Sequence, residues 1–262
     1  MRHHLISTYI LIIVSLNALA QGRPLILSKT YDAFTTDIQE NLYCWKNDGI
    51  DMYDASGKLR FHFNDPTLGN IERVDASMPT KIVVFYKEDN SIVLLNNKLS
   101  PIGSINLYDE SIQTPSLVTV FGANRIACYD ETSQQIHLID LDLKQKSTTN
   151  CNFSNAIQPQ LMVADPSFEY LYLCDSLSGI YVFDRFASFV KVIPVMGIED
   201  MLLQNNTLYF LKQRQIFANN MTAMWSPQPV FGVDHIQSFS KVLSNWYIMR
   251  FDGSITKLSI RR

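Results

Sequence analysis

Short runs of apolar residues recur along this chain, and each is followed by a polar turn and a second short apolar run. The runs that open the six pairs are Leu42–Trp45, Ile82–Phe85, Ile126–Tyr129, Leu171–Cys174, Leu208–Leu211 and Trp246–Met249. The copies lie about 37 to 45 residues apart. This spacing is typical of the four-stranded sheets that repeat around a β-propeller. The pattern therefore predicts an all-β fold, a six-bladed β-propeller.

Each of the first five repeats divides into four predicted strands, separated by Asp, Asn and Gly residues that favour tight turns. The first repeat has a predicted turn at Asn47-Asp48-Gly49 and another from Asp54 to Gly57. The fifth repeat is shorter, and its fourth strand is predicted from Ala223 to Trp225. Prolines between the predicted strands support the assignment, because proline cannot donate to a sheet ladder. They are Pro66, Pro79, Pro115, Pro159, Pro166 and Pro227.

The sixth repeat shows only three predicted strands, which begin at His235, Asn245 and Ser254. The segment from Pro24 to Lys29 precedes the first repeat and has no sheet of its own. We predict that this segment forms the outer strand of the last blade. Pairing of the two termini would close the ring and cover a sheet edge that otherwise invites aggregation.

With this period and strand pattern, the chain resembles the six-bladed β-propellers of secreted and envelope proteins, of the NHL-repeat and YVTN-like type. It is also similar to uncharacterised envelope propellers of Bacteroidota. The resemblance covers nearly all of residues 21–262 and rests on period and strand pattern rather than on a diagnostic motif. It implies the fold but no activity, because propellers host enzymes, ligand binders and scaffolds alike.

The first twenty residues have the pattern of an export signal. Arg2, His3 and His4 form a weakly basic start, an apolar stretch follows, and Ala18-Leu19-Ala20 fits a cleavage site before Gln21. We therefore predict a cleaved signal peptide at 1–20 and a single propeller domain at 21–262. The exported product is expected in the periplasm, associated with the outer membrane, or outside the cell, with no membrane span after cleavage.

The net charge and the cysteine positions limit which ligands and cross-links are expected. The formal net charge of −3 argues against nucleic acid, whose phosphates demand a basic face. The four cysteines, at positions 44, 128, 151 and 174, lack the close spacing of a zinc site. Buried free thiols are the favoured interpretation. Cys151 and Cys174 form the one candidate disulfide.

Charged residues gather in the predicted turns and connectors: Asp48, Asp65, Glu88, Asp89, Asp109, Glu110, Glu131, Asp175, Arg250 and Asp252. Turn formation alone explains most of them, since Asp bonds to its own backbone. The functional alternative is an acidic rim that binds a basic partner or a divalent cation. The histidines His62, His137 and His235 have no second ligand at a metal-binding spacing.

The leading hypothesis is a non-enzymatic protein-interaction scaffold or accessory subunit in the bacterial cell envelope, with an envelope or outer-membrane protein as partner. The connectors between blades mix apolar residues with acids, as protein-binding surfaces do. The candidate partner-binding residues are Asp65, Leu68, Asp109, Glu110, Ile112, Phe153 and Phe231. No catalytic residue, cofactor or metal ligand is predicted under this hypothesis.

The alternative is a propeller hydrolase or lyase, lactonase-like or carbohydrate-active, with a metal in the central channel. That chemistry needs acids that converge from several inner strands. The candidates near the ends of those strands are Asp37, Asp75, Asp165 and Asp200. A third hypothesis is a small-ligand or glycan binder that uses channel aromatics.

Overall fold

The computed structural model describes residues 23–25, 27, 29–141, 145–151, 153 and 156–259. The described residues form strands, turns and bends, without a helix. No helix long and apolar enough to cross a membrane occurs in this part of the chain. The predicted signal peptide at 1–20 lies outside the described residues and stays a prediction.

The described residues form twenty-four strands in six antiparallel four-stranded sheets, one for each blade. The N-terminal strand is β1, Arg23–Leu25. Blade 1 contains β2 Ala33–Thr36, β3 Leu42–Lys46, β4 Gly49–Tyr53 and β5 Leu59–Asn64. Blade 2 contains β6 Arg73–Asp75, β7 Ile82–Tyr86, β8 Ser91–Leu95 and β9 Pro101–Asn106. Blade 3 contains β10 Pro115–Val120, β11 Arg125–Asp130, β12 Gln135–Asp140 and β13 Gln145–Asn150.

The second half of the ring repeats this arrangement. Blade 4 contains β14 Leu161–Ala164, β15 Tyr170–Asp175, β16 Gly179–Asp184 and β17 Phe189–Ile193. Blade 5 contains β18 Asp200–Gln204, β19 Thr207–Lys212, β20 Gln215–Asn220 and β21 Gln228–Gly232. Blade 6 contains β22 Ile236–Val242, β23 Asn245–Arg250 and β24 Ile255–Ser259. The six-bladed propeller predicted from the repeat is confirmed.

The N-terminal strand completes blade 6. Strand β1 pairs antiparallel with β24, and Pro24 lies opposite Thr256 in this register. The inner strands β2 and β22 also contact each other, as do the inner strands at the other five junctions. The predicted closure of the ring by the N-terminal segment is confirmed, although the strand spans Arg23–Leu25 rather than Pro24 to Lys29.

The hydrophobic core is divided among the six junctions between blades. Side chains alternate between the two faces of each sheet, so one strand contributes to two junctions. In β15, Leu171 and Leu173 pack towards blade 3, whereas Tyr172 and Cys174 pack towards blade 5. This is why the second and third strands of most blades are buried along almost their whole length.

The fifth repeat differs from the prediction. Its outer strand is β21, Gln228–Gly232, whereas Ala223 to Trp225 lies in the preceding turn. Pro229 is tolerated inside β21 because the strand lies at a sheet edge, where one side of the backbone needs no ladder partner. Trp225 instead stacks on Phe210, with ring centroids 6.0 Å apart, and covers the junction with blade 4.

Candidate interaction face

The antiparallel order of each blade sorts the loops into two opposite faces. One face carries the turns between second and third strands and the connectors between blades, and we call it the connector face. Its described segments are 29–32, 47–48, 65–72, 87–90, 107–114, 131–134, 156–160, 176–178, 194–199, 213–214, 233–235 and 251–254. The other face carries the remaining hairpin turns, and we call it the hairpin face.

Acidic side chains concentrate on the connector face. Its described segments hold twelve carboxylates, none of them buried, against the cations Lys29, Lys87 and Arg214. The carboxylates are Asp32, Asp48, Asp65, Glu72, Glu88, Asp89, Asp109, Glu110, Glu131, Glu199, Asp234 and Asp252. Among the described residues, the one ion pair that these carboxylates make joins Lys87 Nζ to Glu131 Oε1 at 3.8 Å. Most of this negative charge is therefore left facing solvent.

The hairpin face lacks this excess. Its described turns carry the cations Lys58, Lys81, Lys98 and Arg185 and the acids Asp37, Glu40, Asp54, Asp165 and Glu169. Two of these acids, Asp37 and Asp165, are buried. The described charges are therefore distributed asymmetrically along the propeller axis, although the net charge of the chain is small.

An exposed aromatic side chain shares a connector with two of these acids, between blades 2 and 3. Tyr108 is 60% exposed and lies in the connector 107–114, between Leu107 and the acids Asp109 and Glu110. The Leu107 N–H donates to the Asn90 carbonyl at 2.9 Å, which places the connector beside the turn that holds Glu88 and Asp89. We call the acids at 88, 89, 109, 110 and 131, together with Tyr108, the acidic sector.

A buried carboxylate fixes the backbone of this sector. Asp130, the last residue of β11, accepts the hydroxyl of Thr114 at 2.6 Å and the backbone N–H of Gln113 at 3.0 Å. It also accepts the N–H groups of Thr132 and Ser133 in the next turn. One carboxylate therefore joins the connector that ends at Thr114 to the turn that holds Glu131. Sequence reasoning missed Asp130, because it reads as an ordinary strand-end residue.

Asp175 occupies the equivalent position in blade 4. It ends β15 and accepts the N–H of Gln158 at 3.1 Å and that of Leu177 at 2.8 Å. Burial opposes ionisation of this carboxyl, but these N–H donors and the donors at Ser178 outweigh burial and lower its pKa. The candidate acid Asp175 is therefore a structural anchor of the connector face.

Acidification is expected to loosen the acidic sector. Burial alone would raise the pKa of Asp130, but the hydroxyl and N–H donors outweigh it and lower the pKa to about 2. Because the folded pKa is depressed, its stabilisation is present above the unfolded value and is lost as pH falls from about 4 to about 2; it amounts to about 2 kcal/mol. Unfolding free energies measured against pH should show this loss in the wild type and a flatter profile in Asp130→Asn. An equal dependence of unfolding free energy on pH in the two proteins would contradict this role of Asp130.

The predicted partner-binding residues separate into two groups. Asp65, Asp109 and Glu110 lie on the connector face and are accessible, although Asp65 also accepts the N–H and hydroxyl of Thr67. The apolar candidates mostly serve packing. Ile112 is fully buried between blades 2 and 3, so it is not available to a partner.

The other apolar candidates are partly buried at blade junctions. Leu68 packs between blades 1 and 2, and Phe153 packs between blades 3 and 4. Phe231 belongs to β21 rather than to a connector and packs on Trp246, with ring centroids 5.0 Å apart. Among the described residues, the large apolar side chains that the connector face exposes are Tyr108, Leu177, Met196 and Phe251.

The four inner-strand aspartates do not converge. Asp37 and Asp165 each accept hydrogen bonds within their own hairpin turn. Asp75 accepts the hydroxyl of Thr119 at 2.7 Å and the N–H of Val120 at 2.8 Å, and so joins blade 2 to blade 3. No group of three His, Cys, Asp or Glu residues that could hold a metal ion occurs among the described residues.

Asp200 makes the corresponding link between blades 5 and 6. It accepts the N–H of Phe239 at 2.9 Å and that of Met201 at 2.9 Å. Burial raises its pKa to about 6, and the N–H donors and the charge of Arg73 only partly offset that effect. Both carboxylate oxygens are occupied by backbone donors, which favours a structural role over acid–base catalysis.

The three candidate histidines also lie at separate sites in the ring. His62 Nδ1 lies 2.6 Å from Asp51 Oδ1, at the outer side of blade 1. His137 Nδ1 lies 3.1 Å from the Thr148 hydroxyl, and burial lowers the pKa of this imidazole. His235 is exposed in the connector before β22.

All four cysteines are buried free thiols. Cys151 packs between blades 3 and 4, whereas Cys174 packs between blades 4 and 5. The sheet of blade 4 separates the two sulfurs, so the candidate disulfide is not formed in this structure. Burial raises the pKa of each of these two thiols to about 12, which keeps them protonated and unreactive.

Comparison with solved structures shows the same fold. The WD40 domain of Pan2 from Neurospora crassa superposes with a TM-score of 0.63 at 12% identity, over 92% of each chain. A chain of the nidogen–laminin complex superposes with a TM-score of 0.65 at 12% identity, over 84% of this chain and 89% of that one. No protein-family profile and no curated protein sequence matches the chain. The likeness at this identity concerns the fold alone.

Proposed function

We propose that this protein is a non-enzymatic interaction scaffold or accessory subunit of the bacterial cell envelope. Its acidic connector face binds a basic surface on a partner protein. Propeller folds commonly mediate protein interactions. The observation that carries the proposal is the acidic sector, where the exposed Tyr108 shares a connector with Asp109 and Glu110 and lies beside the turn that holds Glu88 and Asp89. An aromatic residue within a charged rim is the composition of a protein-binding surface.

Electrostatics supports a basic partner. Unpaired carboxylates on one face create a negative potential that attracts cationic surfaces and speeds their association. The same carboxylates would repel an acidic surface. The envelope setting rests on the export pattern at 1–20 and on the resemblance to NHL- and YVTN-like propellers of Bacteroidota, and it is part of the proposal.

Site-specific photocrosslinking in intact cells tests the proposal. A photoreactive amino acid at Tyr108 or Leu177 probes the connector face, and one at Ile38 or Met224 probes similarly accessible positions of the hairpin face, away from blade 4. We expect one discrete crosslinked protein from the connector positions and none from the hairpin positions. Adding Asp89→Lys and Asp109→Lys should lower the crosslinking yield at Leu177 at least about fivefold.

A matched charge change on the other face provides the control. Glu169→Lys introduces one charge reversal of the same kind on the hairpin face, beside Arg185, and should leave the yield unchanged. Crosslinks from the hairpin face alone, equal crosslinks from both faces, or no crosslink at any position would each overturn the proposal. Recovery of a cytoplasmic partner alone would overturn the envelope setting.

A further inference from the structure

The outer strand of blade 4 exposes a row of apolar side chains at the rim of the propeller. In β17, Phe189 is 48%, Val190 47% and Val192 38% exposed, and the turn before it exposes Phe186. Only Ile193 in this strand is buried. Strand β17 is the last in its sheet, so the side of its backbone away from β16 has no ladder partner among the described residues. An edge of this kind can pair with another extended chain.

Other outer strands carry features that discourage such pairing. Strand β13 is polar throughout, with the sequence QKSTTN. Strands β9 and β21 contain Pro101 and Pro229, and β5 carries Arg60 and His62. Charged side chains and prolines are the usual means of protecting a sheet edge. Strand β17 has only Lys191 and a bulge at Val190.

The strand is held in place by aromatic packing beneath it. The Phe189 ring lies 5.1 Å from the ring of Phe153 and 6.0 Å from that of Phe183. Phe153 also contacts Tyr181, with centroids 4.6 Å apart. The edge is therefore formed before any ligand arrives, which reduces the ordering cost of binding.

We propose that β17 accepts an extended segment of another protein, which adds to blade 4 as a fifth strand and places an acidic residue opposite Lys191, between apolar residues. Main-chain hydrogen bonds supply affinity in strand addition, and alternate side chains supply specificity. Lys191 pairs with Val182 in the ladder and is the one charge within the exposed row. An acid opposite it gives a favourable cross-strand pair.

A second copy of this chain is a poor occupant of the edge. Antiparallel self-pairing of Phe189–Ile193 about its centre would place Lys191 directly opposite the Lys191 of the other copy. Like charges in this position are destabilising. The site lies on the outer rim rather than on the connector face, so the proposal is independent of the acidic sector.

Selection from a displayed library of random ten-residue peptides, with the full mature chain as bait, tests the proposal. We expect enriched peptides with an acid between β-branched or aromatic residues. The Kd of these peptides for the Lys191→Glu variant should be at least about tenfold higher than for the wild-type protein. Peptides in which the acid is replaced by Lys should show the reverse preference and bind the Lys191→Glu variant more tightly than the wild type. Val230→Lys, on the outer strand of blade 5, is the matched control and should change Kd less than about twofold.

The charge swap distinguishes strand pairing opposite Lys191 from non-specific hydrophobic binding. Enriched peptides that lack an acid, or that bind wild type and Lys191→Glu equally, would overturn the proposal. Failure to enrich any peptide would also overturn it. Sedimentation that shows a dimer dissociated by Val192→Lys would assign the edge to a second copy instead. Unchanged thermal melting of the variants shows that the fold is intact, since these side chains are exposed.

Discussion

Asp51→Ala is expected to lower the free energy of unfolding by about 2–3 kcal/mol. Asp51 is buried at the junction of blades 6 and 1 and accepts hydrogen bonds from Lys29 Nζ at 2.7 Å and the Tyr31 hydroxyl at 2.6 Å. The Tyr31 and Tyr53 hydroxyls lie 2.5 Å apart. Alanine would leave the buried Tyr31 hydroxyl without its carboxylate acceptor and Lys29 without its counter-charge.

The effect should appear both in global stability and at the N-terminal segment. Lys29 and Tyr31 lie between β1 and β2, so the Asp51 contacts fasten the segment that completes blade 6. Chemical denaturation should show the loss of stability, and limited trypsin digestion should show faster cleavage after Lys29. Asp48→Ala, in the same blade, should change stability by less than about 0.5 kcal/mol, because no described residue donates a hydrogen bond to the Asp48 carboxylate. Equal effects of the two substitutions would contradict this role of Asp51.

A second carboxylate reinforces the same junction from the hairpin face. Glu40 accepts Lys257 Nζ at 2.6 Å, the Tyr247 hydroxyl at 2.8 Å and Asn245 Nδ2 at 2.7 Å. Burial opposes its ionisation, but these three partners outweigh burial and lower its pKa. Polar contacts therefore support ring closure in addition to the apolar core of this junction.

Gly179→Ala is expected to destabilise the protein by at least about 3 kcal/mol. Gly179 opens β16 with φ +118, a region that residues with a side chain rarely adopt. A Cβ here would lie 2.5 Å from the Ile193 carbonyl oxygen of β17, which is backbone and cannot rotate away. The substitution should therefore separate the two outer strands of blade 4.

Gly69→Ala is the matched comparison. Gly69 also has a positive φ, +81, but its Cβ would meet the Glu88 side chain, whose carboxylate can move. We expect a loss of only about 1 kcal/mol. Urea denaturation of the two variants checks the difference. If both lose the same stability, the contact with the Ile193 carbonyl is not what constrains position 179.

Local patterns were sufficient to predict the blades. The alternation of apolar residues and the Asp, Asn and Gly turns act over a few residues, so they can be recognised without knowledge of distant contacts. The exception was blade 5. There the apolar run from Ala223 to Trp225 has the composition of a strand, and Pro229 suggests that no strand follows. The outer strand is nevertheless β21, because a sheet edge tolerates Pro229.

The candidate site was predicted in part. The acids of the connectors lie on one face, as turn chemistry and the order of strands suggest. The apolar candidates were judged by residue type, and Ile112 proved to be buried while Tyr108, four residues earlier, is exposed. Which of the two enters the core depends on how the connector folds against Asn90 and Asp130, and periodicity carries no information about that.

By itself, the sequence determined the repeat, the number of blades and the use of the N-terminal segment to complete the last one, because hydrophobic period and turn chemistry are local properties. Only the tertiary structure decided which carboxylates anchor the fold and which remain free. Asp51 and Asp130 are buried and Asp200 is partly buried, each beside donors from other strands or blades, whereas Asp89 and Asp109 face solvent. The same side chain serves both roles, because burial and hydrogen-bond donors set its function, and both come from residues distant in the chain.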